Sequence, residues 1–429
     1  MPLSRSRTVL SSLVLLSALG CGFGCAKVTT LIGDGPEDTV ALKDVPALAH
    51  HFDTIDGADA LTVGDLFDRE LTFSGTPTPT ALLLAQRAGN PAAAADARVL
   101  RVLTYNVALL DAKLFGLVPY TATPDLDVRA PMLFDRVFEA DYDILTLQEV
   151  WRTEDLERLR ESAERHGYWV ASTDRKGATD GLAIAVKKSL SPGPEETGWE
   201  SYDQPSGNLE FFPAPGLNRA FLWTRFNVDG LGPVVVYDTH ATAFASAYGD
   251  RMSNVRQLGL HLRRNTSEED VVIAGGDFNG GPYYRANDWT LPDGTVERVW
   301  YANTLSYSLM IHYAGASDLA LRGRDTDADA LGDITLGDTV PDTMDEAWCA
   351  QTPDTVFTAT DCNALYRQQY EATEFPARMD LLFTRDPRGR VHVSSSELAF
   401  VEPVEYGGKT GPLSDHYGQA VTLGIAPVR

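Results

Sequence analysis

The stretch DVVIAGGDFN, residues 270–279, is an apolar run that stops on an acid and an amide. A short apolar run closed by glycines reads as a buried strand. Burial alone would not select Asp277 and Asn279 at its end, although GGDFNGG taken by itself is also a good loop sequence. Other stretches end the same way: VLTYN at Asn106, DILTLQE at Glu149, VVVYDTH at His240, ARMD with Asp380 just before LLF, and LSDH with Asp415 and His416. Each has an ordinary explanation. Asn106 suits a turn, Glu149 suits a pair with Arg152, His240 suits a satisfied core histidine, and Asp380 suits a bridge to Arg378. Their repetition is the informative part, because strand ends in a layered fold meet along one rim. In PLSDHYGQAVTLGI (412–425), Asp415 and His416 would face opposite ways if both lay in the strand. A loop at the strand mouth would instead turn both into one cleft.

Working outward, RVLRVLTYNVA, YDILTLQEV, GLAIAVKKS, AFLWTRFNV and PVVVYDTHAT read as further strands. APMLFDRVFEA, TEDLERLRESAERHG and RMSNVRQLGLHLRRN read as helices, the second with Thr153 as its N-cap. Mixed strands and interspersed helices from Val99 onward suggest one layered α/β domain. Residues 281–375 are less regular and are expected to form long loops on one face. Before the domain, GTPTPTA (75–81) and GNPAAAADA (89–97) are low-complexity stretches that cannot build a core. DALTVGDLFDREL (59–71) between them reads as one short helix.

The 429 residues carry 36 Lys+Arg against 60 Asp+Glu, a formal net charge of -24. That balance disfavours broad attraction to nucleic acid, whose affinity rests on basic side chains at phosphates. At the start, Arg5 and Arg7 precede an apolar run from Val9 to Leu19 and then Cys21. This is the layout of a signal peptide, and the run is short for a membrane span. SALGC resembles a bacterial lipoprotein signal, with Ala18 where leucine is favoured and Cys21 as the lipidated residue. The expected organisation is a signal peptide at 1–20, a lipid-anchored tether and lead-in at 21–97, and a catalytic domain at 98–429. An ordinary secretory signal is the alternative. Export permits disulfides. Besides Cys21 and Cys25 the chain has only Cys349 and Cys362, which are expected to pair.

In order along the chain, TYNV, LQEVW, THA, GGDFN, RMDLLF and LSDHYG resemble the endonuclease/exonuclease/phosphatase superfamily. That superfamily includes secreted DNases, abasic-site endonucleases, inositol polyphosphate phosphatases and neutral sphingomyelinases. The resemblance spans roughly residues 99–424 and implies a four-layer α/β/β/α sandwich with two packed mixed sheets and the site at one edge. LQEVW, LSDHYG and the TDCNALY stretch before RMD look most like the neutral sphingomyelinase branch.

Cleaving an anionic phosphodiester needs charge neutralisation, an activated water and help for the leaving oxygen. Oxygen ligands suit a hard cation, Mg2+ or Mn2+. Glu149 is the best ligand candidate, with Asn106 beside it, and the resemblance adds Asp415. His416 oriented by Asp380 is one candidate base; in parts of the family the aspartate matching Asp277 takes that role, and the sequence leaves both open. Asn279 and His240 would donate hydrogen bonds to phosphoryl oxygens, and His240 is also a candidate to protonate the leaving group.

The DTDADALGD stretch places Asp325, Asp327, Asp329 and Asp333 at calcium-loop spacing, but Ala330 and Leu336 stand where a Ca2+ loop has glycine and glutamate. A solvated acidic loop is the alternative. AKLFGLVPY (112–120) is apolar and aromatic, suited either to a lipid surface or to packing under the sheet. The reading is therefore an exported, membrane-tethered or secreted phosphodiesterase, expected to be a monomer and to act on sphingomyelin or a related phospholipid. A secreted Mg-dependent endonuclease and a non-catalytic surface binding module are the rivals.

Overall fold

In the strand RVLRVLTYN, side chains alternate between two hydrophobic layers, as a period of two requires. Leu100 and Val102 enter one buried cluster, while Leu103 and Tyr105 enter another. A sheet with apolar residues on both faces must be covered on both, and the architecture follows from that requirement. The computed structural model describes residues 91–114, 118–121, 124–173, 181–203, 219–243, 248–281, 289–290, 296–297, 307, 309–311, 313–322, 363–365 and 378–428. The expected signal, most of the expected tether, the expected helix at 59–71, Cys21, Cys25, Cys349, Cys362 and the acidic stretch at 325–333 lie outside the described residues.

The described chain begins with β1 (Arg98–Asn106), the hairpin β2 (Asp111–Leu114) and β3 (Val118–Thr121), helix α1 (Leu126–Glu139) and β4 (Ile144–Gln148). Helix α2 (Thr153–Arg165), β5 (Tyr168–Ser172), β6 (Ala183–Lys187), β7 (Glu196–Ser201), β8 (Ala220–Val228) and β9 (Gly232–His240) follow. Then come helix α3 (Tyr248–Asn265), β10 (Val271–Asp277), the small pair β11 (Trp289–Thr290) and β12 (Val296–Glu297), β13 (Ser317–Asp318) and the single-turn helix α4 (Leu319–Arg322). The chain finishes with β14 (Asp380–Arg385), β15 (Val391–Ala399), β16 (Val404–Tyr406), β17 (Lys409–Gly411) and β18 (Gly418–Ile425). Of the segment AKLFGLVPY, residues 112–114 and 118–120 lie in the antiparallel pair β2–β3.

Two six-stranded mixed sheets, β15-β18-β1-β4-β6-β5 and β13-β14-β10-β9-β8-β7, pack face to face. Val102, Ile144, Ile184, Leu222, Val236, Ile273, Leu382 and Val421 fill the layer between them. Helices α1 and α2 cover the outer face of the first sheet through Leu133, Phe134, Val137, Phe138 and Leu159. On the second sheet, His261 of α3 packs against Phe221, Trp223 and Tyr237. The result is the expected four-layer sandwich. No helix among the described residues is long and apolar enough to cross a membrane.

Each sheet has one parallel pair, β1 with β4 and β9 with β10. Parallel neighbours end at the same edge, so Asn106 lies opposite Gln148 and His240 opposite Asp277. Strands antiparallel to these begin where they end. Asp380 therefore faces Asp277 at the start of β14, and β18 begins next to the end of β1, where Thr104 lies opposite Gln419. The paired glycines of β10 let the layers close. A Cβ on Gly275 would strike Thr146 Oγ1 of the facing sheet, and one on Gly276 (φ +154°) would strike the Thr239 carbonyl.

Two local expectations are corrected. Helix α1 starts at Leu126, earlier than the apolar spacing suggested, and runs through Pro131. The buried face of Arg129, Leu133, Phe134, Val137 and Phe138 outweighs the hydrogen bond the proline removes. Thr153 is the first helical residue of α2 and not its cap; extended Arg152 holds the cap position with no side-chain capping bond. Its guanidinium is taken by Asp155 at 2.7 and 3.0 Å and by Asp127 at 2.9 Å.

Candidate active site

The strand ends that the sequence singled out share one edge of the sandwich. Asn106 Nδ2 donates to Asp277 Oδ2 across the two sheets at 2.9 Å. Asn106 Oδ1 accepts the Ala108 amide at 3.0 Å, which fixes the orientation of the side chain. His240 Nε2 lies 3.4 Å from Asp277 Oδ2. The Asn279 amide donates to Asp277 Oδ1 at 2.8 Å, and its Nδ2 donates to the Ala241 carbonyl at 3.1 Å. His416 Nδ1 lies 2.8 Å from Asp380 Oδ2, while Nε2 is 4.0 Å from both Asp277 Oδ2 and Asp415 Oδ1. Asp415 and His416 precede β18, so the loop arrangement holds and both side chains turn to the same cleft.

Glu149 joins them through its field. Burial pushes its carboxyl up to about 7, and Asp415 and Asp277 add to the rise against Arg219 and His416. The ordinary pairings fail for two of these residues. Arg152 pairs with Asp155, and Arg378 forms a buried double bridge with Asp318 at 2.6 and 2.8 Å. His240 is buried as a core histidine would be, yet its Nδ1 has no hydrogen-bond partner among the described residues.

The charges are arranged unevenly. Burial raises Asp415 above its ordinary value, despite His416 and Arg129. Burial also opposes charge on Asp277, but His240, His416, the Asn106 amide and the Asn279 N–H outweigh it and hold the carboxyl low. For His416, burial is outweighed by Asp380, Asp277 and Asp415, which lift the imidazole well above its usual range. His240 is held well below it, by burial first and then by Arg219. Two carboxyls, Glu149 and Asp415, thus lie within each other's field, and burial raises both. With the oxygen of Asn106 they are hard donors of the kind a divalent cation would take. A second group, Asp277, Asp380 and His416, has one ligand atom from each residue within 4.8 Å of the others.

The rim is also backbone-constrained. Ala108 (φ 50°), Glu149 (φ 62°) and Asn279 (φ 48°) all lie in the left-handed region just beyond β1, β4 and β10. Asparagine tolerates that conformation, but alanine and glutamate pay about 1–2 kcal/mol for it. The backbone at Glu149 turns sharply off its strand, which carries the carboxylate to the edge.

Sequence reasoning missed the groups that support this rim. Arg219, 8% exposed just before β8, acts on both Glu149 and His240. Gln148 Nε2 donates to Asp238 Oδ1 at 2.7 Å, joining the strands of Glu149 and His240 beneath the surface. Three of the largest fully buried side chains are Arg129, Arg251 and Arg378. Arg129 donates to the Ala108 and Leu413 carbonyls, Arg251 to the Thr242 carbonyl, and Arg378 precedes Asp380. A signal existed for Arg129. It shares a helical face with Leu133 and Val137 at four-residue spacing, a position where an apolar residue is the rule.

Comparison with solved structures finds similar folds at low identity. D. rerio TDP2 complexed with a single-strand DNA product is 17% identical, with a TM-score of 0.48, covering 76% of this chain and 99% of that one. An endonuclease/exonuclease/phosphatase from Beutenbergia cavernae is 18% identical, with a TM-score of 0.47, covering 77% of this chain and 72% of that one. The mannosyl-6-phosphatase of Bacteroides thetaiotaomicron is 17% identical, with a TM-score of 0.44, covering 76% of this chain and 99% of that one. No curated protein matches the chain. A family profile matches residues 103–416, from the strand that delivers Asn106 to His416 itself, and by that match the chain belongs to the Endonuclease/Exonuclease/phosphatase family.

Proposed function

We propose that this protein is a metal-dependent phosphodiesterase of the phospholipase C type, acting on sphingomyelin or a related phospholipid. The observation that carries the hydrolase reading is the contact of Asn106, His240, Asn279 and His416 with one carboxylate, Asp277, beside Glu149 and Asp415. A divalent cation held by Glu149 and Asp415, with Asn106, would neutralise phosphoryl charge when bound. Asp277 accepts N–H bonds on both oxygens, which orient it and keep it ionised, so it is the carboxylate placed to take the proton of the attacking water. His416 has Nδ1 tied to Asp380 and Nε2 between two carboxylates, which suits an imidazolium that returns a proton to the leaving alkoxide. His240 and the second amide hydrogen of Asn279 would meet phosphoryl oxygens as charge builds there. The water O–H and the phosphorus–alkoxide bond break, a new P–O bond forms, and the leaving alcohol departs protonated.

The lipid assignment is supported by LQEVW and LSDHYG and by the net charge of -24, which is ill suited to a polyanionic nucleic acid. The test is parallel incubation with sphingomyelin vesicles and with plasmid DNA, each with Mg2+ and with EDTA. Phosphocholine release that stops with EDTA is the expected result. DNA nicking without phosphocholine release would replace the lipid reading by the nuclease one.

A further inference from the structure

Arg129 is 0% exposed, yet it lies on α1, outside the cleft. Its Nε donates to the Pro124 carbonyl at 2.8 Å, one terminal nitrogen to the Leu413 carbonyl, and the other to the Ala108 carbonyl at 2.9 Å. Ala108 is the residue in a left-handed conformation whose own amide orients Asn106 Oδ1, so that Asn106 Nδ2 points at Asp277. Leu413 precedes Ser414, whose hydroxyl donates to the Asn106 carbonyl at 2.6 Å and accepts the His416 amide at 3.1 Å. The loop that carries Asn106 and the loop that carries Asp415 and His416 are thus joined twice, once through Ser414 and once through one guanidinium.

We propose that Arg129 is a positioning residue for the hydrolytic centre, its planar fork holding the Ala108 and Leu413 carbonyls so that the Asn106 and Asp415 loops keep one relative geometry. The reason to invoke the fork, and not charge alone, is the number of acceptors. Three carbonyls from three chain segments converge on one guanidinium, and a lysine ammonium cannot meet all three in the same directions. A fully buried cation that served only packing would be replaced at less cost by an apolar side chain. The inference rests on the reading of this rim as a metal-dependent phosphodiester centre, so its test uses a readout that needs neither metal nor substrate.

Four proteins are compared as full chains: wild type, Arg129→Lys, Arg129→Gln, and Phe138→Ala, a cavity variant on the same helix whose ring packs against Tyr168. The first readout is amide hydrogen exchange of segments 106–109 and 412–416. Both Arg129 variants should raise exchange in the two segments together, whereas Phe138→Ala should not single them out. The second is Mn2+ binding by calorimetry and the separation of kcat from KM with bis(p-nitrophenyl) phosphate. Arg129→Lys should lose roughly 10–100-fold in Mn2+ affinity or kcat, the range for groups that orient metal ligands, with KM little changed. Phe138→Ala should retain both. Wild-type-like exchange in Arg129→Lys, or equal effects of Arg129→Lys and Phe138→Ala, would overturn the proposal. Should the Arg129 variants fail to fold, the denaturant dependence of wild-type exchange decides. The two segments must open as one unit, and independent opening refutes the clamp. A wild type that binds no Mn2+ would remove the metal reading and leave the exchange result to judge Arg129.

Discussion

The Asp318–Arg378 bridge offers the sharpest energetic test of how this edge is held. Asp318 is 0% and Arg378 1% exposed, and both guanidinium nitrogens meet the carboxylate, at 2.6 and 2.8 Å. Asp318 also accepts the Tyr307 hydroxyl at 2.9 Å and the Ala320 and Leu321 amides at 3.0 and 3.3 Å. Removing one partner of such a pair strands a charge in the interior and costs about 3–5 kcal/mol, whereas removing both charges costs far less than the sum. Arg378→Met should therefore lose about 3–5 kcal/mol, and Asp318→Asn a similar amount. The double variant keeps the asparagine oxygen for the two amides and should recover at least about 2 kcal/mol of the combined loss. Equilibrium urea unfolding of the four proteins measures the cycle, with the m-value as a check that the transition itself is unchanged. The functional consequence is local. Met379 accepts the Phe278 amide at 2.9 Å and Asp380 follows, so the same variants should slow turnover even where the protein is fully folded. Additive losses, within about 0.5 kcal/mol, would show that the two charges do not depend on each other and would refute the argument.

Three further outcomes are expected. Glu149→Gln should abolish divalent-metal-dependent turnover with the fold intact, and His416→Ala should slow lipid hydrolysis by roughly 10²–10⁴-fold. Because His416 is assigned to the leaving oxygen, that loss should shrink with a p-nitrophenyl ester; an equal loss on both substrates would make His416 the base instead. Asp270 accepts Arg225 at 2.7 and 3.0 Å, and burial is outweighed by that pair and the Ser267 amide, so its carboxyl titrates below its ordinary value. A depressed carboxyl stabilises the fold above its unfolded pKa of about 3.9 and loses that contribution as pH falls through the folded value. Urea midpoints for wild type and Asp270→Asn should differ at neutral pH by about 1 kcal/mol and converge in that acid range; a gap that widens on acidification would contradict the sign.

What the sequence made legible depended on whether a residue's neighbours lay along the chain or across it. β8 was readable to its ends, Ala220–Val228, because alternation and apolar content are local properties. The polar strand ends were readable for the same reason: an apolar run that closes on Asp277 or His240 contradicts its own burial. Helix α1 was placed late, because its first turn is chosen by Arg129 reaching Ala108 and Leu413, contacts made across 21 and 284 positions. Arg219 stayed hidden because an arginine before a strand has an ordinary surface reading, and only the folded chain sets it beside Glu149 and His240.

The strand directions explain why eight side chains from distant segments converge without any of them being close in sequence to most of the others. A purely antiparallel sheet would alternate its strand ends between two edges and split the group. The parallel pairs β1–β4 and β9–β10 bring four C-terminal ends to one edge, and antiparallel β14 and β18 start there. The sites of open α/β sheets form at carboxyl ends for the same reason. Here the facing of two such sheets supplies a second wall. Asn106 on one sheet and Asp277 on the other are bonded directly at 2.9 Å, a distance set by how closely the layers approach. Gly275, where any side chain would collide with Thr146, sets that approach two residues before Asp277. The glycine pair in the stretch that reveals the strand is thus also a condition for the chemistry at its end.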